Sequence, residues 1–319
     1  MTRLLAALLL VVALALSSSA QVSLPWPGPG KAGAGAAACT YPVDSLTSAP
    51  TGIFSMRKVR SAYAGNALQV RRASDNATQN IGFSGGCNLD TASMLTFCAA
   101  TNCFVATWYD QSGNARNFTQ ATAANQPQIV ASGALLTALS SKGTMQCNGS
   151  THTMTAATLG TFINASNFSI FYVVRWNAGG AGAGPQNDPL VFGDTFNYMW
   201  SGSVHTSTSV ANFGQFGAPN NVTISVAFPF TAAALHRYDG TGPTIKAYIG
   251  GGTANTVTTS DVQITTASSA ICYNTNSQHL DGYIAELYLF NVLISVTDSN
   301  LLGNDAASYW GTTWSNISS

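Results

Sequence analysis

Two carboxyl groups held a few ångströms apart can split a bond to carbon, one attacking or taking a proton while the other donates one. The chain has 319 residues and twelve acids, and Glu286 is its sole glutamate. Asp188, Asp194, Asp239, Asp281 and Glu286 are the candidates for such a pair. No acid lies between Asp194 and Asp239. Asp281 and Glu286 sit five positions apart on one strand-like run, which under strict alternation turns their side chains to opposite faces. Asp110 and Asn114 could hold a ligand or a cation, although an Asp that opens an Asp-x-Ser-Gly turn usually bonds the backbone two residues on. His152, His205, His236 and His279 are scattered, and the six cysteines include no Cys-x-x-Cys pair, so no metal site and no cofactor is called for.

The elements that must carry these groups are mostly strands. Ala67–Arg72 alternates apolar and polar residues, and Val222–Phe228 does the same. Phe168–Trp176 is a more buried run. Leu235–Gly240 and Thr244–Gly250 flank a Thr-Gly-Pro turn as a hairpin, and His279–Phe290 is a long late strand. Two helices are predicted: Asp90–Phe97, begun by an Asp N-cap, and Thr297–Tyr309, begun by a Thr N-cap and weakened by Gly303. Many strands with one closing helix predict an all-β fold, a two-sheet antiparallel jelly-roll sandwich of the concanavalin A-like kind.

Arg3, the apolar run Leu4–Leu16 and Ser17-Ser-Ser-Ala20 have the layout of a secretory signal, which sets residues 1–20 as a leader. Pro, Gly and Ala dominate 21–38, a tether, and 39–319 is one compositional block, read as a single domain. Export favours disulfides. Cys98 and Cys103 pair by local spacing; Cys39, Cys87, Cys147 and Cys272 allow three pairings, of which Cys39–Cys87 with Cys147–Cys272 is preferred. Charged residues are 8% of the chain, about a third of the usual share, so the surface must be solvated by hydroxyls, amides and glycan. Sequons stand at Asn76, Asn117, Asn148, Asn164, Asn167, Asn221 and Asn316. Without Arg3 the formal net charge is 11 − 12 = −1, which calls for neither nucleic acid nor an anionic membrane. Arg57, Lys58, Arg60, Arg71 and Arg72 form a basic cluster, read as a solvated face.

Thr96–Gln120, with its Cys98/Cys103 loop, its apolar run and the Asp110-Gln-Ser-Gly-Asn114 turn, follows Arg60–Asp75 in an order that resembles the start of the catalytic domain of family 54 glycoside hydrolases, the fungal α-L-arabinofuranosidases. Ile271–Phe290 and the helix after it resemble the closing strands of laminin-G-like and concanavalin A-like sandwiches. The resemblance implies a retaining mechanism, which needs carboxyl groups about 5 to 5.5 Å apart. It also places a nucleophilic Glu in the central strands and an acid/base Asp in the loop before the closing strand. Here the central strands hold no acid, and Asn274 or Tyr273 stands near the second position. Asn187–Asp194 resembles the family's substrate tract, with Leu190-Val191 where the family has adjacent cysteines. The expectation is therefore a secreted, non-catalytic carbohydrate-binding or extracellular matrix and surface protein, with an active arabinofuranosidase as the alternative. Its partner would be a glycan or cell-wall polysaccharide, with other extracellular proteins besides. Trp108, Asp110, Asn114, Trp176, Asp188, Tyr198, Trp200 and Asn274 are the candidate ligand contacts, aromatic faces supplying the stacking.

Overall fold

In the computed structural model, residues 39–164, 166–178, 191–194, 199–205, 209–215, 221–259, 267–273 and 279–318 are described. Residues 1–38, read above as leader and tether, lie outside them, as do Asp188, Tyr198, Asn274 and the side chain of Trp200. Hydrogen bonding runs without a break through nineteen of the described strands, and every strand pair is antiparallel. The sheet folds over on itself into two layers. One contains Asp281–Phe290 flanked by Asn167–Ala178, then Phe230–Asp239 and Thr244–Ile249. The other runs from Met154–Thr158 through Ser268–Ile271, Phe192–Asp194, Met199–His205 and Val210–Gln215 to Asn221–Ser225. This is the sandwich that the alternating runs predict. The run from Val222 ends as a strand at Ser225, which lies opposite Val210, the first residue of its partner strand.

The closing strand Asp281–Phe290 decides what faces where. Val173 lies opposite Glu286 and Val174 opposite Ile284, so Ala285 is a surplus residue, a β-bulge. The bulge coincides with a change of neighbour on the other edge, from Gly52–Ser55, which ends at Glu286, to Met145–Asn148, which begins at Ile284. Residues directly opposite share a face. Phe171, Val173 and Arg175 thus join Tyr288, Glu286 and Tyr283 on the outer face, while Tyr172, Val174 and Trp176 join Leu287, Ile284 and Gly282 on the inner one. Strict alternation would have parted Asp281 from Glu286; the extra residue returns them to one face.

Helix α1, Thr91–Phe97, starts where Asp90 accepts a bond from the Ser93 N–H. Helix α2, Val296–Trp310, is capped by Ser295, not by Thr297 as its sequence suggests, and ends at Gly311 in the left-handed conformation. It covers the outer face over the C-terminal half of the closing strand. Gly303 makes that docking feasible, because a Cβ there would lie 2.0 Å from the Trp314 ring, which packs edge-on to Phe171. Three disulfides join Cys39 to Cys87, Cys98 to Cys103 and Cys147 to Cys272. The third ties the two layers together at one end, since Cys147 lies opposite Gly282 and Cys272 follows Ser268–Ile271.

Candidate functional site

Most of the polar groups singled out by the sequence are committed to structure. Glu286 is 1% exposed and accepts from Ser55 Oγ (3.0 Å), Arg57 Nε (2.6 Å) and Tyr288 OH (3.0 Å). Arg57 is equally buried and also binds Asp305 of α2, with the Tyr309 ring 4.1 Å from its guanidinium carbon. Burial opposes the Arg57 charge, but Glu286 overrides it and holds the pKa well above the ordinary value. A carboxylate so saturated has no lone pair or opening for a substrate. Nor is Arg57 part of a solvated face. Of the remaining cluster, Arg71 binds Gln126, Arg72 binds Asp75, and Arg60 binds the Ser112 carbonyl.

Asp110 takes the bland reading of its motif. Its oxygens accept from the N–H groups of Ile53, Ser112 and Arg116 and from Ser112 Oγ, which leaves no room for a cation. Asn114 is exposed and donates to the Thr51 carbonyl, at the edge of a shallow groove of about 600 Å³ that also includes Asp44, Pro50 and Arg60. Trp108 and Trp176, expected as stacking platforms, are wholly buried on inner faces. Trp108 packs against Phe54, while Trp176 stacks on Phe230 at 4.9 Å and donates to the Gly202 carbonyl. A ring enclosed in that way has no face to offer a sugar. Asp194 is fully buried opposite Ser269, and Asp239 caps the turn after its strand by accepting from the Thr241 N–H.

Register separates the carboxylates. Asp239 lies opposite Asn167 and Asp281 opposite Ala178, the two ends of one strand, roughly 35 Å apart at ~3.3 Å per residue. Asp281 and Glu286, although on one face, are about 13 to 16 Å apart along their strand by the same spacing. Neither separation allows two carboxyl groups to act on one bond. The spelling Gly82-Phe-Ser-Gly-Gly86 fits a nucleophile elbow, but Ser84 belongs to a two-residue hairpin strand and donates to the Leu89 carbonyl, without the strand-to-helix turn that would expose it.

Among the described residues, the outer face beyond α2 is open. There Arg175, Asn177 and Tyr283, with Thr137 and Ala138 from the loop alongside, line a hollow of about 280 Å³, just under the usual span of small-molecule pockets. Asn177 is itself a surplus residue, since Trp176 lies opposite Gly282 and Ala178 opposite Asp281. Its amide oxygen accepts from Arg175 Nε at 3.1 Å, and its amide nitrogen donates to Asp281 Oδ1 at 3.0 Å. Two bulges thus gather a cation, an amide, a carboxylate and an aromatic hydroxyl at one place. The sequence names only Asp281 among them. The signal available for the rest was the polar outer register of a buried run, Arg175 and Asn177 around Trp176.

Residues 47–167 match the family model described as alpha-L-arabinofuranosidase B, catalytic. Over 66 residues the chain is 46% identical to the probable alpha-L-arabinofuranosidase B of Aspergillus terreus and 39% identical to that of Aspergillus niger. Each of these matches spans 20% of this chain and only 13% of the relative's length. Among solved structures, an arabinofuranosidase complexed with arabinofuranosyl-alpha-1,2-xylobiose superposes with a TM-score of 0.61 at 16% identity, over 85% of this chain and 65% of that one. A family 54 α-L-arabinofuranosidase soaked with a cyclic sulfate inhibitor gives 0.59 at 16% identity, over 82% and 63%. In sequence through its front part, and in fold over most of its length, the chain resembles the catalytic scaffold of the family 54 α-L-arabinofuranosidases.

Proposed function

We propose that the protein is a secreted, non-catalytic carbohydrate-binding protein of the extracellular matrix or cell surface, built on an arabinofuranosidase-like scaffold. The observation that carries this reading is the fate of Glu286, the sole glutamate, which is enclosed by Arg57, Ser55 and Tyr288 beneath α2. The open hollow at Arg175, Asn177 and Tyr283 supports binding in place of turnover. It offers hydrogen-bonding groups beside an aromatic ring, the mixture that suits a sugar's hydroxyls and its apolar face. Removing a nucleophile and an acid/base costs several factors of ten in rate, at ~1.4 kcal/mol each. The purified protein should therefore bind glycans on an array while releasing no p-nitrophenol from the α-L-arabinofuranoside above background. Turnover that survives Glu286→Gln and Asp281→Asn but disappears on Asp194→Asn would reverse the reading and make the protein an arabinofuranosidase with displaced carboxylates.

A further inference from the structure

We infer that the hollow on the outer face takes an acidic sugar, a uronic acid residue whose carboxylate sits on Arg175. This rests on the carbohydrate-binding reading and names its ligand class. The lining holds no carboxylate, and its free groups can all donate: the Arg175 guanidinium only donates, and the hydroxyls of Thr137 and Tyr283 can donate as well as accept. Asn177, the fourth polar residue of the lining, has both amide atoms in use.

The orientation of Arg175 is fixed from behind. Asp281 can only accept from an amide, so the Asn177 nitrogen turns to Asp281 and its oxygen to Arg175 Nε. The guanidinium is then held by its inner nitrogen, and both terminal nitrogens remain without partners among the described residues. A planar fork with two parallel N–H groups free matches a carboxylate in bidentate fashion, which an ammonium does not. Asp281 is not part of the lining and reaches Arg175 only through the amide. Arg72 is committed to Asp75, Arg71 to Gln126 and Asn76, and Arg116 to the carbonyls of Thr51 and Thr161, while Arg60 spends one terminal nitrogen on the Ser112 carbonyl and shares its groove with Asp44. Arg237 also has unpartnered nitrogens, but they are buried. Among the described surface arginines, only Arg175 lines a hollow with both terminal nitrogens unpartnered and no carboxylate in the lining.

The test is calorimetric titration of the full chain with three probes: a glucuronic acid-substituted arabinoxylan oligosaccharide, the same oligosaccharide after carboxyl reduction, and a neutral arabinoxylan oligosaccharide. The uronate form should bind at least tenfold more tightly than its reduced counterpart. Arg175→Gln should abolish that difference, so that the uronate and its reduced form bind equally, and Arg175→Lys should recover only part of it. Thermal melts of both variants, at a half-buried position, report whether the fold is retained. Equal affinity for the native and reduced forms overturns the assignment of a carboxylate but leaves the carbohydrate-binding reading standing. A preference for the uronate that persists in Arg175→Gln overturns the role of Arg175. Failure to bind any of the three overturns both.

Discussion

Arg57 and Glu286, 229 positions apart in sequence, meet at 2.6 Å in the interior with both side chains 1% exposed. Through Asp305 the same guanidinium reaches α2, so one ionic contact joins the first strand, the closing strand and the closing helix. The residue type that could have been a catalytic nucleophile is here a fastening.

Truncating one partner of this contact should be severe. Glu286→Ala leaves Arg57 buried with only Asp305, and breaking a buried pair costs about 3 to 5 kcal/mol. Urea denaturation should show that loss as a lowered midpoint. A double change to well-packed apolar residues, Arg57→Met with Glu286→Leu, should be much milder, since it leaves no unpaired charge. Equal losses in the single and double variants would contradict this account.

His236 makes stability depend on pH. It is wholly buried, edge-on to Phe168 and Phe213, and burial lowers its pKa from the ordinary 6.5 to about 3. Above about pH 6.5 both folded and unfolded chains carry the ring uncharged, and the full stability is present. As pH falls below that, the unfolded chain takes up a proton that the folded chain refuses, at up to ~1.4 kcal/mol per unit until roughly pH 3. Between pH 6.5 and pH 5 the loss from this residue should approach about 2 kcal/mol, and His236→Phe should remove it from the melting profile.

The seven sequons are not equivalent once folded. Asn148, Asn164 and Asn221 donate their amide nitrogens to Thr151, the Asn291 carbonyl and Thr223, while Asn117 and Asn167 are half-buried acceptors for the N–H groups of Asp110 and Gly240. Asn76 and Asn316 are exposed and use only their oxygens, toward Arg71 and Asn304. Glycopeptide mapping of protein made in a eukaryotic secretory pathway should find sugar on those two. Full occupancy at Asn164 would break this expectation.

Gly303 tests the seat of the closing helix. On propensity alone Gly303→Ala should stabilise a helix by about 1 kcal/mol. Because the new methyl group would meet the Trp314 ring at 2.0 Å, the expected result is the opposite, a loss of about 1 to 3 kcal/mol. Trp314→Ala in the same chain should restore the helix preference and change the sign of the Gly303→Ala effect.

The sheet layout was legible because its signals are local and periodic. Alternation around Val70 and the apolar run from Phe168 give strands at their observed places, and Asp90 marks the start of α1. The site was less legible, for two reasons. Trp108 and Trp176 carry the same letters whether a sheet turns them inward or outward, and only the packing of two layers decides. The meeting of Arg57 with Glu286 and the gathering of Arg175, Asn177 and Asp281 both depend on pairing across long separations, and the latter on two surplus residues that periodicity does not reveal.

The bulge at Ala285 makes the outer hollow sensitive to a gain in length more than to a loss. A deletion of that one codon would leave Glu286 opposite Val173 and Ile284 opposite Val174, now in even alternation, so Tyr283 and Asp281 would stay outward and Ile284 and Gly282 inward. An insertion of one residue with the single bulge kept would turn the strand before it over and send Tyr283 and Asp281 to the core. Drift among lineages at this position would accordingly be seen as loss of residue 285, or change of its identity, and not as gain of a residue beside it.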